Sequence, residues 1–266
     1  VFRKISSSAS YTSDFLTATG ITDATIISAL TAMEADLTTA GIINYSSPAS
    51  NKIKVLYPFV GGTASLHKFN FLDPRDLDAA FRLTFYGGWT HSSNGALSNG
   101  TNGYADSYFT PSVNLSSANN QGHGMYSGTS GTAIGAYGCE NTATFKYFET
   151  YPAYTDNKLY SGLSDTGTSI GITNNSIAGF IGVSRDGASS KHYNIRGTAT
   201  NTTAAVTEVL VNAKFYIGAA NRDNTTTATY IAIQYRTAYI DSGFSAAELA
   251  SMNTILTTFN TSLSRT

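Results

Sequence analysis

The stretch "FYGGWTHSSNGALSNGTNGYAD", residues 85 to 106, holds the chain's only tryptophan, Trp89, with His91 two positions on and Tyr104 and Asp106 at its end. These residue types suit one kind of chemistry. A sugar ring is held when its C–H face stacks on an aromatic ring while carboxylate, amide, imidazole or guanidinium groups bond its hydroxyls, in a concave site with a few placed polar groups. "ETYPAY" adds Tyr151 and Tyr154, and "NRDN" adds Arg222, Asp223 and Asn224. The candidate glycan contacts are therefore Trp89, His91, Tyr104, Asp106, Tyr151, Tyr154, Arg222, Asp223 and Asn224. With 17 tyrosines and 14 phenylalanines in the chain, each aromatic also competes with a plain packing role. For Trp89 packing is the stronger reading, because a turn-rich loop fixes an indole only by resting the ring on something, such as a sheet end.

Other chemistries are poorly supplied. "DPRDLDAAF" sets Asp73, Asp76 and Asp78 close together, an oxygen set that could suit a hard cation. A helical turn accounts for them without a metal: Asp73 caps, Pro74 takes the first position and the later acids sit at the positive end of the dipole. His67, His91, His123 and His192 form no i,i+4 pair and have no cysteine partners, which argues against a transition-metal site. The single Cys139 cannot form an intrachain disulfide, and its strand-like surroundings suit a small buried hydrophobe better than a nucleophile. No G-x-S-x-G, phosphate-binding loop or dinucleotide fingerprint is present. No metal and no cofactor is expected.

Composition points to the scaffold that must position these residues. Only 12% of the 266 residues are charged, about half the usual share, while 41% are hydrophobic. The polar surface must be made of Ser, Thr, Asn and Gly, which favour turns over helices, and the abundant Thr, Tyr and Phe suit strands. A net charge of −1 with no basic run offers nothing to a nucleic acid or an anionic membrane face. No apolar run approaches the roughly 20 residues of a membrane helix.

Along the chain, residues 1 to 20 read as an extended Ser/Thr-rich arm. In "TDATIISALTAMEADLTTAG", Ile27, Leu30, Met33 and Leu37 recur at helical spacing, with Thr22 or Asp23 as cap and Gly41 as the left-handed stop. That stripe suits either a seam between subunits or a strap across its own sandwich. A boundary near residue 50 divides this amino-terminal arm and helix (1–50), an anchor or oligomerisation element, from a domain of residues 51–266. Beyond it come short apolar segments, among them "KIKVLYPFV", "AFRLTFY", "GHGMYSG", "TATFKYFETY", "GFIGVSR", "KHYNIRG", "KFYIGAA" and "TYIAIQYRTAYI", spaced as in an antiparallel sandwich. The three Asn-Gly pairs at 94–95, 99–100 and 102–103 predict a compact multi-turn loop between "RLTFYGG" and "YADSYF". Ser245 and Glu248 make a capping box, Phe244 and Leu249 a hydrophobic staple, and Leu249, Met252, Leu256, Phe259 and Leu263 the stripe of a closing helix.

The order "NGYAD", "FIGVSRDG", "FYIGA" and "FSAAE" resembles that of the laminin-G-like, concanavalin A-like jelly-roll domains of tailed-bacteriophage structural proteins, over residues 53 to 266. The resemblance implies an all-β, two-sheet antiparallel jelly-roll sandwich with an N-terminal and a C-terminal helix. It implies a place on a virion surface, capsid exterior or tail, as a decoration or fibre component. Partners would be other virion proteins and further copies of the chain, a trimer among the arrangements, with bacterial surface polysaccharide as ligand. Some such domains hold calcium at the rim, but no segment here aligns with that site. Concanavalin A-like hydrolases place their carboxylates on one strand as E-x-D-x-E, since retaining hydrolysis needs two carboxyls about 5 Å apart. Glu34, Glu140, Glu149, Glu208 and Glu248 are each isolated from that pattern, and Asp165, Asp186 and Asp223 are single acids beside turns. The expectation is a non-enzymatic virion protein, with a free secreted or cell-surface lectin as the alternative and an unrecognised polysaccharide hydrolase third.

Overall fold

The computed structural model describes residues 9–165, 171–203 and 209–265, with backbone alone at 226–228. Two antiparallel sheets face each other. The first runs β13 (Thr198–Thr203), β12 (Ser190–Ile195), β11 (Gly179–Asp186), β6 (Asn120–Ser127), β17 (Gln234–Asp241), β4 (Gly95–Ser98) and β3 (Trp89–Ser92), with β1 (Ile53–Tyr57) also paired to β17. The second runs β10 (Ile172–Thr173), β9 (Lys158–Leu163), β8 (Lys146–Tyr151), β7 (Tyr137–Asn141), β14 (Tyr216–Ile217), β5 (Tyr104–Asp106) and β2 (Thr84–Tyr86). A hairpin of β15 (Ala220–Arg222) and β16 (Thr226–Ala228) joins it through a parallel pairing of β15 with β7. The chain is thus an all-β jelly-roll sandwich closed by a carboxyl-terminal helix.

Strict alternation makes the layers. On the first sheet Ile181 and Val183 of β11, Met125 of β6, and Ala238 and Ile240 of β17 point into the sandwich, where they meet Cys139, Phe148, Leu159, Leu163 and Ile217 of the second. Their neighbours Phe180, Tyr126 and Tyr239 point the other way, into a second apolar cluster. That cluster is roofed by helices α1 (Tyr11–Thr19), α2 (Ala24–Thr39) and α5 (Ala246–Ser262), through Phe15, Leu30, Met33, Leu37, Leu256 and Phe259. α5 lies on β11, β12 and β13, α2 packs on α5, and α1 on α2. Gly124 and Gly182 are cross-strand partners beneath Tyr239, and a Cβ at either would meet its hydroxyl at 2.5 or 2.6 Å. Two short helices, α3 (Ala64–His67) and α4 (Pro111–Asn114), lie in connections.

Local signals explain the helix positions. Asp23 accepts from the Ile26 N–H at 3.0 Å and Gly41 turns left-handed at φ 70°, so α2 starts and stops as its sequence dictates. Ser245 and Glu248 form the capping box of α5, with Phe244 and Leu249 fully buried beside it. Within α2, Leu30, Met33 and Leu37 are buried inside the chain's own cluster, while Ile27 is half-buried. Among the described residues no helix is long and apolar enough to cross a membrane.

Three expectations are corrected. Residues 11–19 are helical rather than an extended arm; residues 1–8 lie outside the described residues. Ser10 and Ser13 cap each other's backbone, and the Glu34 carboxylate of α2 accepts from the first-turn N–H groups of Tyr11 and Thr12 at 2.9 and 2.8 Å. Residues 87–103 are not one multi-turn loop: they contain β3 and β4, a hairpin turned at Asn94-Gly95 that extends the opposite sheet. Only the segment after it is a true turn cluster, held by Asn99 Oδ1, which accepts from the N–H groups of Thr101, Asn102 and Gly103. The helical turn expected at Asp73 falls instead at Asp78–Ala80. Asp73 bonds Arg75, Asp76 bonds Lys68 and Arg82, and Asp78 bonds Arg82, so ion pairing outcompetes capping there.

A candidate carbohydrate face on the second sheet

The second sheet turns its outward side chains away from the helices. In β2, β5 and β14 the inward positions are apolar, Phe85, Ala105 and Ile217, and the outward ones are Tyr86, Tyr104 and Tyr216. Their rings stack as a ladder, Tyr86 on Tyr104 at 4.9 Å and 15°, and Tyr104 on Tyr216 at 4.8 Å and 25°. Beside the ladder Lys214 Nζ lies 3.0 Å from Asp106 Oδ2 and 4.6 Å over the Tyr108 ring, and the Tyr108 and Thr84 hydroxyls are 2.9 Å apart. Burial, with the charge of nearby Asp106, raises the Tyr216 hydroxyl well above its ordinary value, so it stays a donor.

The same face continues across β7, β8 and β9. Period-two alternation in "KYFETY" sends Phe148 inward and Tyr147, Glu149 and Tyr151 outward, and Tyr160 follows on β9. Tyr151, Tyr154 and Tyr160 meet edge to face, at 5.9 Å and 6.2 Å. Between the two tyrosine groups lie Glu140, Glu149 and Arg222. Glu140 is diagonal to Glu149, since Gly138 is the Cα partner of Glu149 and Glu140 that of Tyr147. Arg222 Nε pairs with Glu140. Burial, and then the Glu140 charge, push the Glu149 carboxyl up to about 8 against the pull of Arg222, so it holds its proton at neutral pH. Its Oε2 has no hydrogen-bond partner among the described residues.

The nine candidate contacts fall into three places. Tyr104, Asp106, Tyr151, Tyr154 and Arg222 share the tyrosine face. Trp89 and His91 sit behind it on β3: the indole packs on the core against Phe85 at 5.2 Å and donates Nε1–H to the carbonyls of Tyr86 and Tyr104, both at 3.2 Å. It thereby braces the ladder from inside. His91 stacks on Trp89 and faces buried His67, Nδ1 to Nδ1 at 2.9 Å; Gly62 N–H donates to His67 Nε2, so His67 gives its Nδ1 proton to His91. Asp223 and Asn224 occupy left-handed turn positions and are spent on loops: Asp223 accepts from Asn141 Nδ2 and Thr142, and Asn224 Oδ1 from Lys214 N–H and Asn221 Nδ2. The nine therefore do not converge on one site.

Sequence reading missed Tyr86, Tyr108, Tyr147, Tyr160, Tyr216, Lys214 and the Glu140–Glu149 pair. The signal was present as one apolar residue beside one tyrosine in each short strand, "FY", "YA" and "YI". The carboxylates came together across strands rather than along one, which no linear pattern reveals. Asp165 and Asp186 are also paired, with Lys191 at 2.8 Å and His192 at 2.7 Å; Glu208 lies outside the described residues. Among the described residues no group of three or more His, Cys, Asp or Glu could hold a metal ion.

No family model matches this sequence, and no curated protein matches it. Among solved structures it is similar to domain 4 of AbnA, a GH43 extracellular arabinanase from Geobacillus stearothermophilus in complex with arabinotriose, at 14% identity and TM-score 0.43, over 76% of this chain and 98% of that one. It is also similar to a mutant of Trypanosoma rangeli sialidase displaying trans-sialidase activity, at 11% identity and TM-score 0.47 over 91% of this chain. A third is the botulinum neurotoxin serotype G binding domain, at 10% identity and TM-score 0.46 over 76% of this chain. The chain spans only 39% and 51% of the latter two. With TM-scores this low, the fold rests on this chain's own strand pairing and the site on its own side chains.

Proposed function

We propose that this chain is a non-catalytic, lectin-like sandwich that binds carbohydrate on the outward face of its second sheet. One observation carries the reading: that face is paved with half-exposed tyrosines interleaved with paired polar groups, while the helices roof the other sheet. Rings braced by backbone and by each other bind with little loss of side-chain freedom. The finer reading, that the sandwich is the exposed part of a bacteriophage structural protein with host-surface polysaccharide as ligand and copies of itself as partners, rests on the sequence resemblance over residues 53 to 266. A free secreted lectin would use the same face. Binding to a panel of soluble and bacterial-surface polysaccharides tests the first step: retention that Tyr104→Ala weakens at least tenfold supports it, and a blank panel overturns it. Detection of the chain in purified phage particles tests the second.

One observation favours hydrolysis as a second reading. Glu140 and Glu149 lie diagonally on that face, one ion-paired with Arg222 and one protonated, a difference of environment of the kind that separates an acid from its partner carboxylate. Both are about 95% buried and Glu140 is committed to Arg222, so substrate would have to displace the pair. Release of reducing ends that Glu149→Gln abolishes would establish this reading over the first.

A further inference from the structure

We infer that the ligand of the tyrosine face is a polymer of uncharged sugars, an inference that rests on the carbohydrate-binding reading above. Each cation that the described residues place on this face already has a carboxylate: Lys214 with Asp106 at 3.0 Å, Arg222 with Glu140, and Lys158 with Asp156 at 3.9 Å. An acidic sugar, whether uronate, sialate or phosphorylated, is held by unspent guanidinium or ammonium groups. Freeing Lys214 or Arg222 for that purpose would strand the side chains of Asp106 and Glu140, which are 7% and 6% exposed, as uncompensated buried charges. A cationic sugar fares no better. The carboxylates of Asp106, Glu140 and Asp156 are taken, Asp223 is turned to Thr142 and Asn141, and Glu149 holds its proton at neutral pH.

What the face does offer is matched to hydroxyls. The Lys214–Asp106 pair sets a donor and an acceptor side by side next to the Tyr86–Tyr104–Tyr216 ladder, the arrangement that bonds two neighbouring hydroxyls while an aromatic ring takes the C–H face. The Tyr160 hydroxyl donates to Asp156 at 2.5 Å at the far end, repeating a paired polar group beside an aromatic.

The test uses the full chain and polysaccharides matched in backbone but not in charge: hydroxyethyl- against carboxymethyl-cellulose, fully methyl-esterified against de-esterified polygalacturonate, and glycol chitin against glycol chitosan as the cationic pair, each at low and high salt. The expected result is retention of neutral members only, with affinity changing less than about twofold between the two salt conditions. Asp156→Asn, an exposed change that leaves the core untouched, and Asp106→Asn each free a cation and are expected to raise affinity for the acidic polymers several-fold, and in a salt-dependent way. Wild-type preference for an acidic or cationic polymer, or no gain in either variant, overturns the inference and leaves the carbohydrate reading standing. Binding of no polymer, or binding that Tyr104→Ala leaves intact, removes both.

Discussion

On the outer face of the first sheet Phe180 and Tyr239 lie parallel, 8° apart, and each is 1% exposed; on the outer face of the second, Tyr86 and Tyr104 lie nearly parallel too, yet Tyr86 is 42% exposed. The strands present aromatic rings outward in both places. What differs is what the two chain ends supply. α5 lays an apolar stripe on the first sheet and α2 packs its own stripe on α5, so the sheet's aromatics become core. Among the described residues no helix of that kind reaches the second sheet's ladder, and its stacked rings are all tyrosines, whose hydroxyl tolerates water. An outward aromatic in a sandwich therefore means core or surface according to where the amphipathic helices go.

The largest break in this comparison comes from truncating one aromatic on the covered side. Phe180→Ala leaves a cavity beneath α5 and is expected to cost about 3–5 kcal/mol of unfolding free energy, read by chemical denaturation, without changing glycan affinity in the molecules that remain folded. A comparable stability loss from Tyr104→Ala would erase the distinction between the faces. That variant should cost only about 1 kcal/mol in stability while weakening glycan binding at least tenfold.

Titration separates the faces next. The Glu149 carboxyl has an ordinary value of 4.5 and stands at about 8 in the folded chain, so the native state binds its proton more tightly than the unfolded state does between those values. Its contribution is therefore full below about pH 4.5 and falls as pH rises toward 8, by about 5 kcal/mol. Asp241, buried beside the first face and raised by burial from 3.8 to about 7, slopes the same way over a lower window. Glu149→Gln should reduce the slope of the denaturation profile throughout pH 4.5–8, leaving below about pH 7 only the part owed to Asp241 and a nearly flat profile between pH 7 and 8. An unchanged slope across that interval would mean that Glu149 is not the buried acid on the tyrosine face.

How much of this was legible follows from the range of each signal. The α2 and α5 stripes, the Asp23 cap and the Ser245–Glu248 box are local, and the sequence shows them at their observed positions. Length announced β11 and β17, eight residues each and buried over most of both faces, so that each reads as a sustained run of strand formers. β2, β5 and β14 are two or three residues each, too short for a period to register, and so Tyr86 and Tyr216 went unremarked although Tyr104 did not. The Asn-Gly pairs were legible as turns, but whether Trp89 lay in a loop or on a strand depended on β4 finding β17, a partner more than a hundred residues away. The Glu140–Glu149 approach is a matter of register between β7 and β8, and register is fixed by the fold rather than by spacing along the chain.

The smallest expected effect sharpens the comparison from the covered side. Ser245 Oγ accepts the Glu248 N–H, and the Glu248 carboxylate accepts the Ser245 N–H at 2.9 Å while pairing with Lys52. Ser245→Ala removes half of that box and is expected to cost about 1 kcal/mol. Because α5 touches β11, β12 and β13 but not the ladder strands, the loss should appear as faster hydrogen exchange in the first turns of α5 and at the amides of β11 and β12, with none at Tyr104 or Tyr216 and no change in glycan affinity. Exchange that rises equally on both faces would show that the roof and the tyrosine face open as one unit, and the two surfaces would then be a single cooperative structure that differs only in its exposure to water.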